Sequence, residues 1–180
     1  EELSQETFNA YTQDGDGPYL RTGDIGYYVA EQLYISGRIK DVIIIRGANY
    51  YPQDIELSAI DSHPALEDNA AAAFSVDSDT GEELVLVMEI KRSHIRNFDA
   101  SELFNAINAR VAEDHDLIVS DILLINPGHI NKTSSGKIQR QKNRQAYVDG
   151  TFEAIGQFSK HLSNETVQAK PAKSITELET

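Results

Sequence analysis

The sequence has no cysteine, no apolar run of membrane-spanning length and comparatively little positive charge. Without cysteine there can be no disulfide, no thiolate nucleophile and no Cys-ligated zinc, which fits a reducing compartment. The longest apolar runs, such as Val42–Ile45 and Leu84–Met88, are far shorter than the ~20 residues that cross a bilayer. No signal peptide is visible, so a cytoplasmic location is expected. The opening Glu-Glu-Leu, with no initiator Met, reads as an excised piece of a longer protein. Bases number 16 against 29 acids, a net charge of −13, which repels nucleic acid and anionic membrane surfaces at long range. The five histidines are at least 14 residues apart, which excludes a helical ligand pair, and no metal site is assigned.

What remains suffices for one ordinary domain, or for a small domain plus part of another: 180 residues, 40% of them apolar. Residues 1–18 are polar and end in the turn-rich Asp14-Gly15-Asp16-Gly17-Pro18. Two short alternating segments, Tyr19–Thr22 and Gln32–Ser36, predict small antiparallel strands separated by Gly23-Asp24-Ile25-Gly26 and a tyrosine-rich stretch. Val42-Ile43-Ile44-Ile45 predicts a strand buried on both faces. Pro52 marks a helix start ahead of Gln53–Ser62. Residues 70–76 and 84–91 predict paired strands, and Asp99 with Glu102 predicts a capped helix to about His115. Val119–Ile125 predicts a further strand, and Ile138–Val148 a last helix. The tail after about Ser159 lacks periodicity and is expected to be disordered.

The resulting fold class is α+β. Residues 40–150 are expected to form a small domain with a mixed sheet covered by helices. Residues 1–39 read as the β-rich trailing end of a different, larger domain, and 151–180 as a partly disordered extension.

Against the acidic background, GHINKTSSGKIQRQKNRQAY at 128–147 gathers five Lys or Arg residues and no acid. A Gly-Lys pair after small polar residues suggests phosphate binding, yet this is no G-x-x-x-x-G-K-S/T loop. Asn131 stands where that loop needs Gly, and Ile138 where it needs Ser or Thr. Lys137 is expected at the foot of a helix, where free N–H groups also favour anions. A solvent-exposed basic loop explains the stretch equally well. Asp24 follows a predicted strand and a glycine; it suits a ribose diol, or solvates its own turn. Arg38 has the planar fork for the same ribose or a phosphate, and is also explained as part of a solvated charge cluster. Lys40-Asp41 lies between the two blocks, where a few dihedral changes swing one domain against another. In Arg46-Gly47-Ala48-Asn49-Tyr50-Tyr51-Pro52, Gly47 and Asn49 tolerate positive φ, which a purely structural turn also uses.

Taken in order, YLRTGD, GRIKDVIIIRG, YPQDIE and NKTSSGKIQR resemble the C-terminal portion of the adenylate-forming enzymes over about residues 1–150. Within that superfamily, IIIRGANYYPQDIE is most similar to fatty acyl-AMP ligases; the CoA-forming relatives more often carry Ser-Gly-Glu at that loop. The resemblance implies that Asp24 holds the ribose hydroxyls of ATP with Arg38 assisting, that Lys40 is the hinge, and that Lys137 is the catalytic lysine. Gly47 and its neighbours, Asn49 among them, would form the loop used in the second half-reaction. It further implies ATP and AMP bound mainly by an N-terminal adenylation domain that also supplies the Mg²⁺ ligands, a fatty acid substrate, and an acyl carrier protein as acceptor. The alternatives are the same part of an acyl-CoA synthetase, with CoA as acceptor, and a non-catalytic module docking an acidic partner through residues 128–147. This polypeptide alone is expected to be inactive.

Overall fold

The computed structural model describes residues 2–79 and 81–161, and the chain divides into two compact units, Glu1–Val42 and Ile43–Thr180. The predicted disordered tail beyond residue 161 lies outside the described residues.

In the first unit a short helix α1 (Glu2–Phe8) precedes a hairpin of β1 (Asp24–Val29) and β2 (Gln32–Arg38). The turn is Ala30-Glu31, both at positive φ (47° and 63°), the two-residue geometry that matches strand twist. This corrects the expected pairing of Tyr19–Thr22 with Gln32–Ser36. The partner strand is the tyrosine-rich stretch itself, and Tyr19 makes only an isolated bridge to Ala10. Aromatic residues favour strands, and Tyr27 stacks on Tyr34 across the pair at 5.4 Å. Gly26 punctuates nothing: it sits at a bulge where a Cβ would come within 2.7 Å of the Tyr34 carbonyl oxygen. A single 3-10 turn, Ile39–Asp41, follows β2.

The second unit opens on a second hairpin, β3 (Ile43–Ile45) with β4 (Ala48–Tyr50), turning at Arg46-Gly47 with φ of 53° and 78°. Ile43 and Ile45 are buried but Ile44 is exposed, so the run is not buried on both faces. A β-branched run with no polar alternation hides which side chain faces water. Helix α2 (Pro52–Asp61) begins on its proline as expected.

A four-stranded mixed sheet carries the rest, in the order β5 (Leu66–Ser78), β6 (Gly81–Ile90), β7 (Val119–Ile125), β8 (Ala154–Ser159). β5 and β6 are antiparallel, β6 and β7 parallel, β7 and β8 antiparallel. The parallel pair requires a crossover, supplied by α3 (Ala100–His115). Its cap is the one the sequence predicts: Asp99 accepts from the N–H groups of Ser101 and Glu102 at 2.8 and 3.2 Å, an arrangement typically worth about 1 kcal/mol. β8 is a strand that the sequence reading misses.

Side-chain alternation divides the core. Leu84, Leu86 and Met88 join Ile55 of α2 and Leu103, Ile107 and Val111 of α3. Val85 and Val87 point the other way and meet Phe74, Leu123, Ile130 and Tyr147, the last from α4 (Arg140–Val148). Helices therefore cover both faces of the sheet, and α4 stands on the face opposite α2 and α3.

Candidate active-site loop

Lys137 lies on a short hairpin between β7 and α4, built almost wholly from local hydrogen bonds. Lys132 and Ile138 form an antiparallel bridge, and Gln139 N–H donates to the Asn131 carbonyl at 2.9 Å. Inside that stem, Thr133 N–H donates to the Lys137 carbonyl at 2.8 Å and Gly136 N–H to the Thr133 carbonyl at 2.9 Å. The Thr133 hydroxyl oxygen accepts the Lys137 N–H at 3.0 Å. Gly136 takes φ of 82°, a left-handed value that glycine adopts without strain. The Thr-Ser-Ser-Gly lead-in is thus a bonded turn rather than a slack tether. Lys137 is also not at a helix foot: α4 begins at Arg140 with Gln139 as its N-cap, and the Lys137 N–H is already spent on Thr133. The Lys137 side chain is exposed and, among the described residues, forms no ion pair.

The basic cluster around it divides into two kinds of cation. Lys132, Lys137 and Lys142 are exposed. Arg140 and Arg144 turn inward. Arg140 closes on Glu56 of α2 with Nε–Oε1 and Nη2–Oε2 contacts of 2.7 Å, and Glu56 Oε1 also accepts the Ala73 N–H of β5 at 3.0 Å. Arg144 Nε donates to the Ser75 carbonyl at 2.9 Å. Forked guanidinium–carboxylate contacts are among the strongest hydrogen-bonded pairs, so these arginines hold α4 in place. Sequence reasoning counted them as part of an anion-facing patch. Glu56 carried a signal that was missed: it neighbours Ile55 on the buried stripe of α2, and an acid there needs an internal partner.

Two further polar residues support the loop. Glu89, buried on β6, accepts the Ile130 N–H at 2.7 Å. Asn143, fully buried on α4, bonds to Asn131 and Gln139. Nothing local in the sequence distinguishes Asn143 from the polar residues around it.

In the first unit, Asp24 and Arg38 are register partners on β1 and β2, and Arg38 Nε lies 3.3 Å from Asp24 Oδ1. Both side chains are exposed. A carboxylate with an adjacent guanidinium offers acceptors for a diol beside a donor fork for phosphate or ribose oxygens. Lys40 is exposed within the 3-10 turn, before the boundary at Val42. Gly47 and Asn49 lie exposed on the β3–β4 hairpin. A Cβ added at Gly47 would meet nothing within 4 Å, so its positive φ is what calls for glycine there. Among the described residues no group of three or more His, Asp or Glu side chains is placed to hold a metal ion. No described helix is long and apolar enough to cross a membrane.

The mixed α+β fold is that of a domain from the adenylate-forming enzymes. Residues 40–157 match the family described as Disco-interacting protein 2-like, AMP domain, and the chain belongs to that family. Among curated relatives it is 46% identical over 153 residues to the medium-chain-fatty-acid–[acyl-carrier-protein] ligase JamA of Moorena producens, covering 84% of this chain and 26% of that protein. It is 40% identical over 157 residues to the long-chain-fatty-acid–AMP ligase FadD32 of Mycobacterium marinum, covering 76% and 25%. A solved structure from work on fatty acyl-adenylate ligases of E. coli and L. pneumophila superposes with a TM-score of 0.59 at 36% identity, over 73% of this chain and 22% of that one. The chain spans about a quarter of the length of the curated relatives it matches.

Proposed function

We propose that this chain is the C-terminal part of a fatty acyl-AMP ligase, with Lys137 as the catalytic cation of acyl-adenylate formation. The observation that carries the reading is the Lys137 ammonium, exposed and without an ion pair among the described residues, on a hairpin fixed by its own hydrogen bonds. The names of the relatives supply the reaction class. A fatty carboxylate oxygen bonds to the α-phosphorus of ATP while the bond from that phosphorus to the bridging oxygen breaks and pyrophosphate leaves. Two anions must approach as charge builds on the phosphate oxygens. A compact ammonium between them is worth most at the transition state, which is where it accelerates the reaction.

Asp24 is assigned to the ribose hydroxyls of ATP and Arg38 to its support. The Mg²⁺ that accompanies ATP finds no carboxylate cluster among the described residues. In the second half-reaction the thiol of an acyl carrier protein phosphopantetheine attacks the acyl carbon and AMP leaves; the JamA relative is named for that acceptor. Lys137 must then vacate the face that the thiol needs. Rotation about Lys40 would remove it and bring in the hairpin of Gly47 and Asn49.

The test is the intact enzyme with ATP, fatty acid and either carrier protein or CoA. Lys137→Ala is expected to lower acyl-adenylate formation on the order of 10²–10³-fold with folding retained. Near-normal pyrophosphate exchange by that variant would remove Lys137 from its role. Rapid acyl-CoA formation by the wild type would reassign the acceptor.

A further inference from the structure

Asn143 offers one acceptor oxygen and two amide hydrogens, and all of this capacity converges on the stem of the Lys137 hairpin. Its Oδ1 accepts the Asn131 N–H at 2.9 Å and the Asn131 side-chain amide at 3.1 Å. Its Nδ2 donates to the carbonyls of Asn131 and Gln139, each at 3.1 Å. Asn131 and Gln139 are the two ends of that hairpin, joined to each other by the 2.9 Å bond between Gln139 N–H and the Asn131 carbonyl. The Asn143 side chain is fully buried, so water cannot substitute for these bonds without the stem opening. Asn143 itself rides on α4, which the Arg140–Glu56 contact ties to α2. The chain of support runs from α2 through α4 to the hairpin stem.

We infer that Asn143 is a positioning residue for Lys137: its buried amide clamps both ends of the hairpin and sets where the ammonium stands during adenylation. The inference rests on the function proposed above and deepens it. Neither chemical alternative of similar size performs the task. Aspartate lacks the two donors and leucine lacks every polar contact. Release of the stem leaves the Thr133–Lys137 turn closed on itself but frees its direction, so the ammonium is misplaced without being lost. A displacement of about 1 Å at a catalytic group typically costs on the order of 10²-fold in rate.

A merely structural residue would weaken both half-reactions in step with the folded fraction. A residue that positions Lys137 weakens only the half-reaction that uses Lys137. The intact enzyme carrying Asn143→Ala is assayed for adenylation by pyrophosphate exchange and for transfer from preformed acyl-adenylate to carrier protein. The expected result is a loss of about 10- to 100-fold in adenylation kcat, with the KM for ATP and fatty acid and the transfer rate each within about twofold of wild type. Should Asn143→Ala melt too low to assay, Asn131→Ala removes a single bond of the clamp and is expected to show the same imbalance at smaller size. Equal loss in both half-reactions, or no loss in either, overturns the inference. A wild-type enzyme that forms no acyl-adenylate, or a Lys137→Ala enzyme that still forms it, defeats instead the function on which the inference rests.

Discussion

The guanidinium of Arg140 and the carboxylate of Glu56, 84 residues apart in sequence, meet through two 2.7 Å contacts that join α4 to α2. Their side chains are only 17% and 9% exposed, so the pair is largely out of water. Removing one member takes away the main compensation for the other's charge, which typically costs about 3–5 kcal/mol. Glu56→Ala is therefore expected to destabilise the second unit by that order in chemical denaturation. It should also speed hydrogen exchange at the Ala73 amide, which donates to the same carboxylate. Replacing both partners with apolar residues of similar volume should recover part of the loss, because no unpaired charge remains while the Ala73 N–H still lacks its acceptor. A Glu56→Ala protein within 1 kcal/mol of wild type would show that the pair is not a fastener.

The same inward turn of Arg140 and Arg144 separates the enzyme reading from a docking patch. A docking surface for an acidic partner would draw on Lys132, Lys137 and Lys142 alike, since all three are exposed. A catalytic cation would not. Lys132→Glu with Lys142→Glu, in the intact enzyme, is expected to change adenylation by less than about tenfold, against on the order of 10²–10³ for Lys137→Ala. Parallel losses in the two proteins, measured by pyrophosphate exchange, would favour the docking patch.

Lys40 lies in a single 3-10 turn, and proline at that position would lock its φ. If the two half-reactions need different dihedrals there, Lys40→Pro should slow one far more than the other. Pyrophosphate exchange and transfer from preformed acyl-adenylate report the two halves separately. Equal slowing of both would leave Lys40 without a hinge role.

Features with local causes were legible in the sequence. Pro52 starts α2 and Asp99 caps α3, as each residue type dictates with its immediate neighbours. The exposed lysine was also legible, because Lys137 follows a distinctive Thr-Ser-Ser-Gly. Features that depend on distant partners were not. β8 carries Gly156, which reads as a breaker, yet a Cβ there would sit 3.4 Å from Leu124 and 3.5 Å from Ala100. Those are ordinary van der Waals distances, so the strand owes its place to pairing with β7 rather than to a need for glycine. Arg140 and Arg144 read as solvated cations because Glu56 and Ser75 lie more than sixty residues away. Asn143 gave no signal at all, since a buried amide and an exposed one look alike in a polar helix.

Tyr147 gives the pH dependence a defined window. Its ring packs against Phe74 at 5.7 Å between α4 and the sheet. Burial first, then the charge of Asp121 and its hydrogen bond, then the charge of Glu83, push its phenol up to about 12. The folded state thus holds this proton more tightly than the unfolded chain, where a tyrosine titrates near 10. The associated stability is fully present below about pH 10 and is lost as pH rises from there through about 12. Urea midpoints of wild type and Tyr147→Phe, compared from pH 8 to pH 12, isolate this group because the other tyrosines titrate in both proteins. The wild-type midpoint should fall more steeply above pH 10, since phenylalanine has no proton to lose. Parallel curves across that window would mean that ionising Tyr147 costs the fold nothing.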